Sequence, residues 1–312
     1  MMPLKDNHLR PLPVVLKPMA DELLSSWLRR HAGYYGVTEC ALIAWLGLGA
    51  STLRALDHRL GLGQVAHLSR VLRCDPTVII DMTHTTLPIE ARPLAREGRE
   101  VVVCRSCAAR HRGQGAEGAV LKSWMEAWRV TCRHCARPLA EVGSSPADAD
   151  SHGQTLRDAS AFGDLWWREA AAGEGVVEQH LAGQATPLGS PVALMRLLLL
   201  PKGHRPGQPF AGFFSGWLLN ELVSGFDVAA RPTKRRVNQG AIGSIPPQLR
   251  VALLAGVALV VANPVAMLDH LRPACRPIYM ARFDELAAEA VPWNALSQID
   301  SQNENFGSPL SH

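Results

Sequence analysis

The sequence predicts a mostly α-helical protein: an N-terminal helical, helix-turn-helix-like domain, a small ribbon-like insert bearing paired cysteines, and a C-terminal helical domain. Three observations carry this. Apolar residues recur at helical spacing on both sides of the insert. Alternating apolar–polar strands are absent outside the cysteine region. Four of the 7 cysteines fall in two Cys-x-x-Cys pairs, Cys104 with Cys107 and Cys132 with Cys135.

The chain has 312 residues, enough for two or three small domains and a sizeable core. Hydrophobic residues make up 47%, ordinary for a globular protein and too many for a disordered one. The start, MMPLKDNHLRPLP, lacks the apolar stretch of a signal peptide. The longest apolar run, Val251 to Ala262, has 12 residues, too short for a bilayer span, and reads as a buried helix. The expected setting is therefore a reducing cytoplasm, where paired cysteines bind metal more often than they form disulfides. The net charge of +4 is unevenly spread: residues 1–140 hold 19 Lys and Arg against 12 Asp and Glu, residues 141–312 hold 13 against 16. A basic front half suits a polyanion such as DNA or RNA, and equally suits an Arg-rich solvated surface.

The elements follow in order. Asp21–Gly36 is the first helix, with Leu23, Leu24, Trp27, Leu28 and Tyr34 on one face, Pro18 before it and Gly36 after it. Thr38 is placed to cap a second helix carrying Leu42, Ile43, Trp45 and Leu46. A third is expected in Ser51–Leu60. Val65, Leu68, Val71 and Leu72 make the stripe of a fourth, and Asp75-Pro76 reads as N-cap plus first-turn proline of a short helix through Met82. This last pair reads either as a helix-turn-helix or as a plain αα-hairpin. In the first case Pro76–Met82 is the recognition helix, Thr77, Thr83, His84 and Thr85 lie near the groove, and Arg70 and Arg73 contact nucleic acid. The expected divisions are a helical domain over 1–90, a metal-binding segment over 91–142, a linker over 143–155, a helical domain over 156–293 and a disordered tail over 294–312. Expected helices past the linker are Phe162–Ala172, Pro191–Leu200, Phe210–Val223, Pro247–Val261, Pro264–Leu271 and one around Met280–Ala290.

A Cys-x-x-Cys pair sits naturally on a tight turn whose two thiolates point to one side, and two such turns place four sulfurs tetrahedrally around Zn²⁺ at about 2.3 Å. Cys107 and Cys132 are separated by 24 residues, somewhat more than the usual zinc-ribbon gap, and the longer loop costs little extra entropy. Arg105, Arg110, Arg129 and Arg133 nearby favour thiolates. Cys104, Cys107, Cys132 and Cys135 are the first-choice ligands, with a set in which His134 or His111 replaces a cysteine in reserve. Two pairs at this spacing argue against a redox Cys-x-x-Cys. A four-thiolate site leaves no position open for water, so its expected role is structural.

These residues resemble the TniQ/TnsD family of transposition target-selection proteins. The family's N-terminal pattern, Pro-x-x-x-Glu-x-x-x-Ser-Trp-Leu-x-Arg, is matched by Pro18, Glu22, Ser26, Trp27, Leu28 and Arg29. A Leu-rich run before Met-Thr follows at Leu68, Leu72, Met82 and Thr83. The family's Cys-x-x-Cys, Trp, Cys-x-x-His and Pro-Leu are matched by Cys104, Cys107, Trp124, Cys132 and Pro138-Leu139, with Cys135 where the family has His. The resemblance covers residues 11–142; the remainder is similar only as a helical tail. It implies a non-catalytic adaptor that recognises target DNA or a guide-RNA effector complex and recruits an AAA+ ATPase regulator and a transposase. It would be bacterial and nucleoid-associated, with a homodimer left open. The alternative is a zinc-stabilised helix-turn-helix transcription regulator.

Other signals count for less. Gly61-Leu62-Gly63-Gln64-Val65-Ala66 fits a dinucleotide fingerprint, but a helix precedes it where that motif needs a strand, so it reads as a helix end and turn. No phosphate-loop motif occurs, which leaves ATP hydrolysis to a partner. Lys234, Arg235 and Arg236 form the densest basic cluster, either a phosphate contact or a solvated loop. Trp124 and Trp128 are expected to brace the metal segment at helical spacing. Phe210, Phe213, Phe214 and Trp217 read as a core stripe.

Overall fold

The structure, a computed structural model, describes residues 10–50, 52–95, 101–142, 162–203, 216–231 and 242–292. The expected linker and tail, the cluster Lys234–Arg236, and Phe210, Phe213 and Phe214 lie outside these residues. The chain divides into two units. The first takes in Met1–Arg92, Arg99–Met125 and Cys132–Gly153; the second takes in Pro93–Gly98, Glu126–Thr131 and Gln154–His312. Helix dominates the described residues, and the sheet among them is one short antiparallel pair.

In the first unit, helix α1 (Leu24–Tyr34) starts later than its periodicity predicts. Asp21 stands at φ +63°, outside the helical region, and no side chain caps the start. The Leu23 and Leu24 N–H groups instead donate to Val120 O (3.0 Å) and Met82 O (2.9 Å). Leu23, Leu24, Trp27 and Leu28 are buried as expected, joined by His31 and Ala32, whereas Tyr34 is 55% exposed. Tyr35 takes the structural role, its hydroxyl donating to Val14 O and accepting from Val14 N. The helix ends at Gly36, whose φ of +64° a side chain would disfavour.

Helices α2 (Glu39–Trp45) and α3 (Leu53–His58) are each capped by a threonine: Thr38 Oγ1 accepts from Ala41 N (3.1 Å) and Thr52 Oγ1 from Ala55 N (3.2 Å). The glycine-bearing stretch opens α4 (Leu62–Leu72), with Gly61 N donating to Gln64 Oε1 at 2.9 Å. It follows α3 and no strand, so it carries none of the dinucleotide fold. Helix α5 (Pro76–Asp81) begins where Asp75 Oδ1 accepts from Thr77 N (2.7 Å). Leu24, Trp27, Leu28, Leu42, Leu46, Leu53, Leu56, Leu68, Val71, Leu72 and Ile79 close over one another as a single core. Each fully buried side chain of this size contributes roughly 1.5–3 kcal/mol.

Beyond residue 100 the first unit continues as β1 (Val101–Val103), α6 (Arg105–Gly113), a 3₁₀ turn at Lys122–Met125 and β2 (Ala140–Val142). β1 and β2 pair antiparallel, Val101 opposite Val142 and Val103 opposite Ala140.

The second unit is built on α7 (Gly163–Leu181), α8 (Pro191–Leu198), α9 (Leu219–Leu222), α10 (Phe226–Ala229), α11 (Pro247–Ala262), α12 (Pro264–Leu271) and α13 (Met280–Ala290). α7 runs past Ala172, where the sequence predicts a stop. Gly173 does not end it: a Cβ there would lie 2.0 Å from Leu254 O, so the glycine lets α7 and α11 approach closely. α11 is buried along most of its length and is the unit's central element. No single described helix is long and apolar enough to cross a membrane.

Residues 126–131 carry a buried ion cluster of the second unit. Arg129 pairs with Glu126 (2.6 Å), Glu174 (3.3 Å) and Glu178. Glu174 also accepts from Val130 N, Thr131 N and Thr131 Oγ1 at 2.7–3.0 Å, while burial pushes its carboxyl above the usual range. Arg129 therefore serves carboxylates rather than thiolates, which corrects its expected role. Trp124 lies on the 3₁₀ turn Lys122–Met125, which ends before Trp128, so the two do not share the helix expected of them.

Candidate metal centre and nucleic-acid surface

The first cysteine pair straddles the start of α6. Cys104 is its N-cap residue and Cys107 lies in its first turn, so the expected open turn is a helix N-terminus instead. The Ala108 backbone N–H donates to Cys104 O at 2.8 Å. The second pair is a tight turn: Ala136 N donates to Cys132 O at 2.8 Å, with Ala136 at φ +55°. The Cys135 N–H also donates to Cys132 O, at 3.4 Å. Antiparallel pairing of β1 with β2 sets the two turns against each other, and Arg137 Nη1 bonds Ser106 Oγ across them at 2.6 Å.

All four Sγ atoms lie within 4.8 Å of one another. Cys107 stands 3.8 Å from both Cys132 and Cys135, and Cys104 stands 3.3 Å from Cys135. None is in a disulfide. A tetrahedron with metal–sulfur bonds of about 2.3 Å has sulfur–sulfur edges of about 3.8 Å. The cluster thus fits one metal ion. Crowded this way, the sulfurs divide their protons unequally. The Cys104 thiol, donating to Cys132, is held well above its ordinary range; the same bond draws Cys132 down to about 4, and burial pushes Cys107 up to about 11. A cation shared by the four relieves this conflict by taking them all as thiolates.

Neither reserve histidine is among the clustered atoms. His134 faces Asp21 at 3.8 Å, and His111 is buried and stacked on Trp124 with ring centroids 6.0 Å apart. Cys135 fills the place where the family pattern has histidine.

The N-terminal motif is structural, and sequence reasoning missed its key partner. Glu22 is wholly buried and accepts from Arg30 Nε (2.8 Å), Arg30 Nη2 (2.6 Å), Ser26 Oγ (3.0 Å) and Met19 N (2.9 Å). Arg29, the residue the motif points to, makes only a half-exposed pair with Glu39. The spacing Glu22, Ser26, Arg30 held the signal. Ser26 Oγ accepts in turn from Val120 N (2.8 Å), and the Lys122 N–H bonds Asp21 O (2.6 Å), which ties the motif to the chain between the cysteine pairs. Asp57, likewise overlooked, is buried, bonded to Ser25 N and Oγ, and raised to about 6 by desolvation.

Residues 13–142 match the TniQ family model. This segment is therefore similar to the TniQ domain. No curated protein and no solved structure matches it. Both cysteine pairs, the Glu22–Arg30 clamp and helices α1–α6 lie inside the matched segment.

The expected nucleic-acid residues divide. Arg70, Arg73 and Thr77 are exposed on α4, the turn and α5, where Arg73 at φ +48° ends α4. Thr83 and His84 are buried at 0% and 2% exposure, which corrects their placement near a groove. The Thr83 hydroxyl donates to Ile80 O and accepts from Thr85 N. His84 stacks on His58, with neither ring nitrogen hydrogen-bonded, and burial drives its pKa down to about 3.

Proposed function

We propose that this chain is a non-catalytic adaptor for target selection in DNA transposition. It engages target DNA or a guide-RNA effector complex and recruits an AAA+ ATPase regulator and a transposase, which perform the chemistry. The observation that carries this reading is the TniQ match over residues 13–142, with the four-cysteine cluster inside it. Zinc is the metal proposed. Four thiolates satisfy its tetrahedral preference, leave no place for a reactive water, and hold a segment too small for a core of its own. Arg70, Arg73 and Thr77 are the proposed contacts on α4–α5, with Lys234, Arg235 and Arg236 as a further cluster.

Copurification tests the adaptor role. The full-length protein should retain the AAA+ ATPase of the same mobile element, and the ATPase should carry the transposase with it. A second reading, a zinc-stabilised helix-turn-helix transcription regulator, draws on the short α4–turn–α5 arrangement with exposed Arg70, Arg73 and Thr77. Tight binding to one operator-like duplex without any ATPase retention would favour it.

A further inference from the structure

The metal segment has a surface that neither the cysteine cluster nor α4–α5 accounts for. Its described residues, 101–125 and 132–142, hold six Lys and Arg against two acids. α6 turns Cys107 and His111 inward and leaves Ala109, Arg110, Arg112 and Gly113 exposed. On the second cysteine turn, Arg133 and Arg137 are exposed. Of the two acids, Glu117 is taken up by Arg112 at 3.5 Å. Neither Arg110 nor Arg133 makes an ion pair among the described residues. The four sulfurs within 4.8 Å of one another fix α6 and the Cys132–Cys135 turn together, and the Arg137–Ser106 bond adds a second tie. These cations are therefore held on a rigid frame rather than on independent loops.

We infer that this arginine face is a second nucleic-acid contact, one that grips the phosphate backbone. The inference rests on the reading that the chain acts on nucleic acid. Guanidinium forks match phosphate oxygens, and the small Ala109 and Gly113 between them allow a backbone to come close. An acidic protein partner fits less well. Protein interfaces centre on buried aromatic and aliphatic anchors, and the exposed large hydrophobics among the described residues all lie outside this segment, the nearest in sequence being Ile89 and Val228.

The test is salt-dependent binding of the full-length protein to a random-sequence DNA duplex. Arg110→Ala/Arg133→Ala should weaken binding and lower the slope of log affinity against log salt by roughly 2, one phosphate contact per arginine. The protein's metal content should stay unchanged. Arg110→Lys/Arg133→Lys, which keeps the charge and the fold, should restore most of the slope. If the wild type binds DNA and Arg70→Ala/Arg73→Ala weakens it while the Arg110/Arg133 variant keeps the full slope, this inference is overturned and the adaptor reading stands. A variant that binds DNA normally but loses the ATPase partner overturns it in favour of an acidic protein surface. A wild-type protein that binds no nucleic acid at any salt overturns this inference and the nucleic-acid reading together.

Discussion

The two units reach stability by different routes. The second is centred on α11, buried along nearly its whole length and closely approached by α7 at Gly173, with the cluster of Arg129, Glu126, Glu174 and Glu178 as a compact polar anchor. The first has a helical core of its own, but its metal segment is held by four sulfurs, a two-stranded sheet three residues long and polar clamps such as Glu22–Arg30 and Ser26–Val120. The difference teaches that a short segment can add to its own buried side chains, here Val102, Leu121, Trp124 and Leu139, bonds that have direction and stoichiometry. Such bonds fail abruptly when one partner is removed, whereas an apolar stack yields in proportion to the atoms lost.

The largest effect should therefore come from the cysteines. Structural zinc sites contribute about 10–16 kcal/mol in small peptides at neutral pH. Cys104→Ser or Cys132→Ser should release the metal and open the chain between β1 and β2 to protease. The helices of the second unit should persist by circular dichroism. Elemental analysis alongside limited proteolysis checks both halves. Full metal retention by both variants would sink the ligand assignment.

Next comes the buried clamp. Removing one partner of a buried ion pair costs about 3–5 kcal/mol, because the other charge is left desolvated. Glu22→Gln should lower the denaturation midpoint of the first unit accordingly, with Arg30 stranded at 8% side-chain exposure. Arg29→Ala, on the half-exposed pair with Glu39, should cost no more than about 1 kcal/mol. Equal losses from the two would show that the motif's conspicuous Arg29, and not Arg30, is the structural partner.

That contrast marks where the sequence could be read and where it could not. Helical spacing located α1 to α5 and the apolar run of α11, because burial imposes a period on side chains. The paired cysteines located the four-sulfur cluster, because ligand spacing is set by covalent geometry. What escaped were contacts whose partners are far apart in the chain: Glu174 on Arg129, Asp57 on Ser25, and the burial of Thr83 and His84. A titratable residue in a polar stretch looks solvent-facing until the fold covers it. Glycine misled in the opposite direction at Gly173, where a residue that usually ends helices permits a close approach instead.

Asp57 and His84 make the first unit's pH response a balance of opposed contributions. Asp57 has a folded pKa of about 6 against 3.8 unfolded, so it favours folding while protonated, and its contribution is lost as pH rises from 3.8 through 6. His84 has a folded pKa of about 3 against 6.5 unfolded, so its contribution is present above 6.5 and is lost as pH falls toward 3. A difference of one pH unit between folded and unfolded pKa is worth about 1.36 kcal/mol. Each group therefore amounts to a few kcal/mol, and between pH 4 and 6 the two largely offset. Asp57→Asn should leave stability climbing with pH across that range, and His84→Phe should leave it falling. Denaturant midpoints at several pH values read this directly; two variants with the same slope would refute the opposed assignment.

The smallest expected effect tests the apolar side of the comparison. A Cβ on Gly173 would meet Leu254 O at 2.0 Å and its carbonyl carbon at 2.8 Å, backbone atoms that cannot swing aside. Gly173→Ala should therefore push α7 away from α11 and cost about 1–3 kcal/mol through overpacking. A Cβ on Gly175, two residues on in the same helix, would meet nothing within 4 Å, so Gly175→Ala should gain about 0.5–1 kcal/mol from reduced backbone entropy. Thermal or denaturant midpoints of the two variants give the signs. If apolar packing between α7 and α11 were forgiving, both substitutions would stabilise; a loss at Gly173 alone shows that close helix approach can be as exacting as a metal ligand, at a fraction of the energy.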